Sequence, residues 1–369
     1  MLQKIRIGYR TQNRPSKGSL VLLGLVALLL DGCDSTSGGS SGTGGSSTGT
    51  GGSIAGTGGV NATGGVTATT GTLHAVREFY LSSPGEPVTI VLGPDGNLWF
   101  TDPGSNKIGT ITTVGAITEF DIPTTQSNPH GIAKGSDGNL WFTEIDGRKI
   151  GRITPSGTIT EFPAPGGEVY GIAAGADGNM WFLEGNANEI GCITPTGVVS
   201  ELPIPTAQSN ATYIAAGSDG NLWFTETRPG MIGRITPEGI VTEFPLADPT
   251  TSGPLGITAG PDGNLWFADL NGNKIGRITT AGTIKEFPLP IPNSSPKDIA
   301  PGPDGNLWYT ELRGHGSPKI GRITPAGAIT EFSVPIAGSS PSLESLVTGP
   351  DGNLWFANYY DGEIVRVTP

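Results

Sequence analysis

One short motif recurs seven times along this chain of 369 residues and restricts its fold more than any other feature. The motif is Asp-Gly-Asn, then Leu or Met, then Trp, and the chain has no tryptophan outside it. The tryptophans are Trp99, Trp141, Trp181, Trp223, Trp266, Trp308 and Trp355. Their spacings of 42, 40, 42, 43, 42 and 47 residues indicate seven copies of one structural unit.

Each unit has the pattern of four short strands. Between Pro129 and Pro163, strand-length apolar and β-branched runs alternate with turn residues. The Asp-Gly step supplies the positive φ of a tight hairpin, and Pro155-Ser156-Gly157 marks a second turn. A repeat of about 42 residues with four strands has the length of one propeller blade. The sequence therefore predicts an all-β fold, a seven-bladed β-propeller with four-stranded blades.

The two ends of the repeat region predict how the ring closes. A Glu-Phe or Glu-Leu pair marks the fourth strand of each unit, at Glu78, Glu119, Glu161, Glu201, Glu243, Glu286 and Glu331. The first of these pairs precedes the first tryptophan, and none follows the last. We therefore expect an N-terminal outer strand near residues 76–81 to complete the last blade beside a strand near residues 363–368.

The residues before the repeats have the order of an export signal. Residues 1–17 are basic, Leu20 to Leu30 form an apolar run, and Leu-Asp-Gly-Cys33 follows. The apolar run is shorter than the roughly 20 residues of a membrane span, so residues 1–32 are interpreted as a lipoprotein-type signal peptide. Leu-Asp-Gly-Cys resembles the lipobox of bacterial lipoproteins, which predicts lipidation at Cys33. An ordinary secretory signal followed by a chance cysteine is the alternative.

Residues 33–74 consist mostly of Gly, Ser and Thr, with too little apolar surface to offset chain entropy, and are expected to be a flexible tether. The propeller is assigned to residues 75–369. We expect an exported protein of the bacterial cell envelope, held to a membrane through Cys33, periplasmic or on the cell surface.

The charge of the body bears on its partners. Five of the 21 basic and one of the 33 acidic residues precede Cys33, so the remainder carries a formal charge of −16. Such an acidic body repels phosphates, and we expect no nucleic-acid partner. A monomer is expected.

Longer pieces of the repeat resemble a known family. Residues 260–267 read Gly-Pro-Asp-Gly-Asn-Leu-Trp-Phe, and residues 273–279 read Asn-Lys-Ile-Gly-Arg-Ile-Thr. These pieces are similar to the repeats of the virginiamycin B lyase family, from about residue 76 to the end of the chain. The resemblance implies a seven-bladed propeller that opens the ring of type B streptogramins by Mg²⁺-dependent carbon–oxygen elimination, without using water. A shared fold does not by itself imply this activity, so the residues at the site determine whether the chain is expected to have it.

Antiparallel pairing places the start of a blade's first strand and the end of its second strand at one rim. The first-strand positions are Val88, His130, Tyr170, Thr212, Leu255, Lys297 and Glu344. The second-strand positions are Asp102, Glu144, Glu184, Glu226, Asp269, Glu311 and Asn358. Polar residues that break the repeat are where a singular function is expected. His130, Tyr170, Lys297 and Glu344 are therefore predicted to form a ligand site at the top of the central channel.

The resemblance implies a histidine at the first-strand position of each of the last two blades, and magnesium-binding carboxylates in the last blade. This chain has Lys297 and Glu344 at the histidine positions and Ser342 and Asn358 at or next to the carboxylate positions. Mg²⁺ is therefore expected only through the resemblance, and the metal ligands stay unknown.

One Pro-His-Gly-Ile segment remains, in the second unit. We expect its His130 to face Glu144 across the rim as a candidate catalytic acid–base pair, with a hydrogen-bonded rim histidine as the alternative. The leading interpretation is binding of a small molecule, a glycan or a partner protein. A Mg²⁺-dependent streptogramin B lyase and a structural envelope protein are the alternatives.

Overall fold

The computed structural model describes residues 69–82, 85–312, 318–336 and 341–369. The expected signal peptide, Cys33, His315 and the part of the expected tether before Thr69 lie outside the described residues. Within the described ranges the chain forms 29 strands joined by turns and no helix. No helix of the described part therefore has the length and apolar character needed to cross a membrane.

The strands form seven antiparallel blades in a ring, as the sequence predicts. The described chain begins with β1 (Thr69–Thr70) and β2 (Ala75–Tyr80), which belong to the last two blades. Blade 1 contains β3 (Ile90–Leu92), β4 (Leu98–Asp102), β5 (Lys107–Ile111) and β6 (Ile117–Asp121). Blade 2 contains β7 (Pro129–Lys134), β8 (Leu140–Glu144), β9 (Lys149–Ile153) and β10 (Ile159–Pro163). Blade 3 contains β11 (Val169–Ala174), β12 (Met180–Glu184), β13 (Glu189–Ile193) and β14 (Val199–Pro203).

The next three blades repeat this meander. Blade 4 contains β15 (Ala211–Ala216), β16 (Leu222–Glu226), β17 (Met231–Ile235) and β18 (Val241–Pro245). Blade 5 contains β19 (Pro254–Ala259), β20 (Leu265–Asp269), β21 (Lys274–Ile278) and β22 (Ile284–Pro288). Blade 6 contains β23 (Pro296–Pro301), β24 (Leu307–Glu311), β25 (Lys319–Ile323) and β26 (Ile329–Ser333). The first strand of each blade contacts the first strand of the next, so these strands surround the central channel.

Blade 7 is composite and closes the ring. It contains β27 (Leu343–Thr348), β28 (Leu354–Asn358) and β29 (Glu363–Thr368), with β2 as its outer strand. The pairing of β2 with β29 runs from Ala75 opposite Thr368 to Tyr80 opposite Glu363. The predicted closure by an N-terminal strand is confirmed.

The segment before β2 also joins the sheets. β1 pairs in parallel with β26 on the outer edge of blade 6, and the amide of Gly71 donates to the carbonyl of Glu331 at 3.0 Å. The amide of His74 donates to the carbonyl of Thr368 at 3.0 Å. These residues fall inside range 33–74, for which the sequence predicts a tether, so regular pairing begins before residue 75.

The tryptophans form the core between blades. All seven are at most 4% exposed, and in every blade the Asp of the motif accepts the Trp Nε1–H at 3.0–3.3 Å. Six of them pack against a phenylalanine of a fourth strand, with ring centroids 4.9–5.7 Å apart. For Trp355 that phenylalanine is Phe79 of β2. The tryptophans are structural, since their rings are buried and their polar atoms are bonded.

Candidate functional site

The predicted rim residues lie in β-bulges of the first strands. In blade 2, Pro129 pairs with Glu144 and Ile132 with Phe142, so His130 and Gly131 have no partner in the register. The same shift occurs at residues 170–171, 212–213, 255–256 and 297–298, and the register of blade 7 shifts at Glu344. A bulge bends its strand and turns side chains out of the ladder. This local feature directs the rim side chains towards the channel.

Threonines of the second strands fix these bulges from one blade to the next. Thr143 Oγ1 accepts a hydrogen bond from the amide of Gly131 at 2.8 Å and donates one to the carbonyl of Tyr170 at 2.6 Å. Thr101 does the same between the amide of Thr89 and the carbonyl of His130, at 3.2 and 2.7 Å. Each hydroxyl therefore links the start of the inner strand region in one blade to that of the next blade.

His130 and Tyr170 form one side of the site. Their ring centroids are 6.0 Å apart in an edge-to-face contact, and the Tyr170 hydroxyl donates to Glu168 Oε2 at 3.0 Å. Burial and the positive charge of Lys297 lower the pKa of His130 to about 4. The imidazole is therefore neutral at pH 7, and its buried Nδ1 has no hydrogen-bond partner among the described residues.

Lys297 and Glu344 form the other side. They make an ion pair, and each is only 6% exposed. Ser342 Oγ donates to Glu344 Oε1 at 2.7 Å. Burial lowers the pKa of Lys297 to about 8, against the opposing effect of Asp298, so the ammonium form still predominates at pH 7. Lys297 of blade 6 thus acts electrostatically on His130 of blade 2, although the two blades are not neighbours in the ring.

Two further residues of the channel were not predicted from the sequence. Asp298 Oδ2 accepts from the amide of Leu346 at 3.1 Å and its Oδ1 from the amide of Ile299 at 2.9 Å, while burial raises its pKa. Burial and the Asp298 charge raise the pKa of Tyr213.

A signal for both residues was present in the repeat. The position after the rim residue is glycine in three blades, at Gly131, Gly171 and Gly256, but Tyr213 in blade 4 and Asp298 in blade 6. A Cβ on Gly256 would stand 2.5 Å from Asp298 Oδ1, so the glycines make room for their neighbours.

No hydrogen bond joins Glu144 to His130 in the described part of the chain. Glu144 is fully buried, and neither of its carboxylate oxygens has a hydrogen-bond partner among the described residues. Burial and the charge of Glu161 raise the pKa of Glu144 to about 8. Glu144 thus belongs to the interior of blade 2, and His130 is left as the rim member of the expected acid–base pair.

The six carboxylates at the second-strand positions are of two kinds. Asp102 and Asp269 accept backbone amides, and Asp269 Oδ1 bonds those of Gly253 and Gly272 at 2.7 and 2.9 Å. The carboxylate oxygens of the four glutamates have no hydrogen-bond partner among the described residues. Burial and the charge of a neighbouring glutamate in the fourth strand raise the pKa of each. The four glutamates are Glu144, Glu184, Glu226 and Glu311.

The blade 7 residues do not fit the magnesium ion that the family resemblance implies. Asn358 Oδ1 accepts from the amide of Ser342 and its Nδ2 donates to Glu363, both at 2.8 Å. Glu344 is already bonded to Lys297 and Ser342. The ammonium of Lys297 therefore neutralises the Glu344 carboxylate, which is the group that a metal ion would need as a ligand.

Comparison with known proteins gives a consistent assignment. No curated protein matches the chain. A catalytically inactive variant of virginiamycin B lyase from Staphylococcus aureus, solved with quinupristin, is 40% identical with a TM-score of 0.74, covering 80% of this chain and 99% of that one. A streptogramin B lyase structure is 39% identical with the same TM-score, covering 79% and 97%. Hydrazine synthase of Kuenenia stuttgartiensis, 15% identical with a TM-score of 0.63 over 79% and 97%, shares the fold alone. The virginiamycin B lyase family matches residues 60–169 and 163–367, and the chain therefore belongs to that family.

Proposed function

We propose that this protein is a binding member of its family, whose channel mouth hydrogen-bonds an uncharged polar group of a ligand. The observation that carries the proposal is the buried, unpartnered Nδ1 of His130. A buried polar atom without a partner costs stability unless something bonds to it. A ligand group that hydrogen-bonds this neutral imidazole would remove that cost.

The charges around His130 favour an uncharged ligand group at this position. Lys297 and Glu344 neutralise each other, and the Tyr170 hydroxyl is already bonded to Glu168. A charged group beside His130 would compete with the buried ion pair, and a buried ion that loses its partner is strongly unfavourable.

The same groups are poor catalysts for elimination. An eliminating enzyme needs a base with a pKa near neutrality and a cation that stabilises the developing negative charge. His130, with a pKa near 4, is a weak base, and Lys297 is protonated and paired. Binding therefore takes precedence over lyase activity.

Quinupristin is the probe for this site, since a 40% identical lyase was solved with it. We expect calorimetric titration of the full chain to show binding. His130→Ala is expected to weaken it at least tenfold, equivalent to about 1.4 kcal/mol. His74→Ala is the matched control, because His74 lies beside Pro369 at the outer strands and leaves the channel unchanged.

Two results would overturn the proposal. Absence of quinupristin binding would contradict the proposal. Ring opening that disappears in His130→Ala would instead identify an active lyase. Because elimination adds no water, the linear product has the mass of the substrate, so chromatography and fragmentation spectra must separate the two.

We also propose that Cys33 anchors the exported protein to a membrane of the cell envelope. The proposal is supported by the order of basic segment, apolar run and Leu-Asp-Gly-Cys at the N-terminus.

A further inference from the structure

The geometry points to a second site, a calcium-binding site of three carboxylates inside blade 3, formed by Glu184, Glu189 and Glu201. Their ligand oxygens all lie within 4.8 Å of one another. The site belongs to the sheet rather than to the channel, and it does not depend on the ligand proposed above.

The strand register explains why the three side chains meet. Glu184 of β12 lies opposite Glu189 of β13, so the two side chains share one face of the sheet. Glu201 of β14 lies opposite Gly191, two residues beyond Glu189, which puts it on the same face.

Four other blades have a positively charged side chain at the position of Glu189. The residue equivalent to Glu189 is a lysine in four blades, and its Nζ lies 2.9–3.4 Å from the fourth-strand glutamate. These pairs are Lys107–Glu119, Lys149–Glu161, Lys274–Glu286 and Lys319–Glu331. In blade 3 a carboxylate replaces the ammonium, so a positive charge is replaced by a negative one.

Blade 7 shows how the chain balances the same replacement elsewhere. Glu363 takes the lysine position there, and Asn358 takes the position of Glu184. The Asn358 amide donates to Glu363 Oε1 at 2.8 Å. Blade 3 has Glu184 at the position of Asn358, so Glu189 has no side-chain amide at this position to donate a hydrogen bond to it.

Glu184 itself points to a bound cation. It is fully buried, and neither of its oxygens has a geometric hydrogen-bond partner among the described residues. The amide of Gly166 donates to Glu201 at 2.8 Å, which leaves the remaining oxygens available.

The donor set selects the ion. Carboxylate oxygens are ligands for hard cations, and Ca²⁺ bonds at about 2.3–2.6 Å place opposite oxygens about 5 Å apart. A cluster spanning up to 4.8 Å accommodates that ion, whereas Mg²⁺ requires a tighter octahedron. Glu189 and Glu201 are half-exposed, so water can reach the ion and complete its coordination.

The test compares the full chain with and without Ca²⁺ after treatment with a chelator. We expect Ca²⁺ to raise the melting temperature and calorimetric titration to show one site. Glu189→Lys restores the lysine that four other blades contain, so this variant is expected to fold. It is expected to lose the Ca²⁺-dependent shift and to melt above the metal-free parent protein. Glu189→Gln is expected to weaken Ca²⁺ binding at least tenfold.

Glu168→Gln is the matched control. This glutamate lies near the cluster in sequence but bonds Tyr170 and Asn186 instead, so the variant is expected to bind Ca²⁺ as the parent does. The site is refuted if the parent shows neither binding nor a melting shift with Ca²⁺, or if Glu189→Lys binds Ca²⁺ unchanged. Tighter binding of Mg²⁺ than of Ca²⁺ would overturn the choice of ion.

Discussion

Replacing Glu226 with glutamine is expected to make the stability of the protein less sensitive to pH. Glu226 is fully buried at the end of β16, and Met231 occupies the position where four blades have lysine. The neighbouring Glu243 accepts from the amide and hydroxyl of Thr206, both at 2.9 Å. Burial and Glu243 raise the pKa of Glu226 to about 8, so the folded protein keeps this carboxyl protonated at pH 7.

The size of the effect follows from proton linkage. The ordinary pKa of the carboxyl is 4.5, so between pH 5 and 8 the folded state holds a proton that the unfolded state has lost. The resulting stabilisation is fully present below the unfolded pKa and is lost as the pH rises through the folded pKa. The slope is about 1.4 kcal/mol per pH unit, or about 2.7 kcal/mol between pH 5.5 and 7.5.

Urea unfolding at a series of pH values measures this slope. Glu226→Gln keeps a neutral side chain of similar shape, and the variant is expected to lose that part of the pH dependence. Glu238→Gln removes an exposed carboxylate of the same blade and is expected to leave the slope unchanged. Equal slopes in the parent and in Glu226→Gln would show that Glu226 ionises normally, and the reasoning would fail.

Three further changes test other parts of the structure. Thr143→Val removes the hydroxyl between Gly131 and Tyr170 and is expected to lower the free energy of unfolding in urea by about 1–3 kcal/mol. Thr143→Ser keeps a hydroxyl and is expected to be about as stable as the parent, so equal losses in both variants would contradict the role of the hydroxyl. Deleting residues 75–82 removes β2 and the ring of Phe79 that covers Trp355, so the melting temperature is expected to fall, and an unchanged value would contradict the closure. Cys33→Ser is expected to move the protein from the membrane fraction to the soluble fraction, and unchanged fractionation together with palmitate labelling would exclude the anchor.

The blade count and the closure were predictable because they depend on local chemistry. The Asp-Gly turns and the four-strand period recur in every unit, so each copy supports the same interpretation. The unequal number of fourth strands before and after the tryptophans then located β2 and β29. The parallel pairing of β1 was not predictable, since Thr69 and Thr70 lie in a Gly/Thr-rich segment without a strand pattern.

The site was predictable only as a set of positions. Sequence comparison of the blades singled out Lys297 and Glu344 because both break the repeat, but it did not show that they bond each other. That contact depends on the bulges, which redirect side chains in a way that the period of the repeat does not encode. The same limitation explains why Glu144 was expected beside His130 although its carboxyl lies beside Glu161.

The closing strand pair has a consequence for folding. β2 precedes all seven tryptophans in the chain, whereas its partner β29 follows all of them. β2 must therefore remain unpaired until residues 363–368 have been synthesised, with an open edge that another copy could join. Arg77 and Glu78, in the middle of β2, place charges on that edge, and charges discourage pairing between copies. Charges at these two positions therefore disfavour pairing of the open edge with another copy before the ring closes.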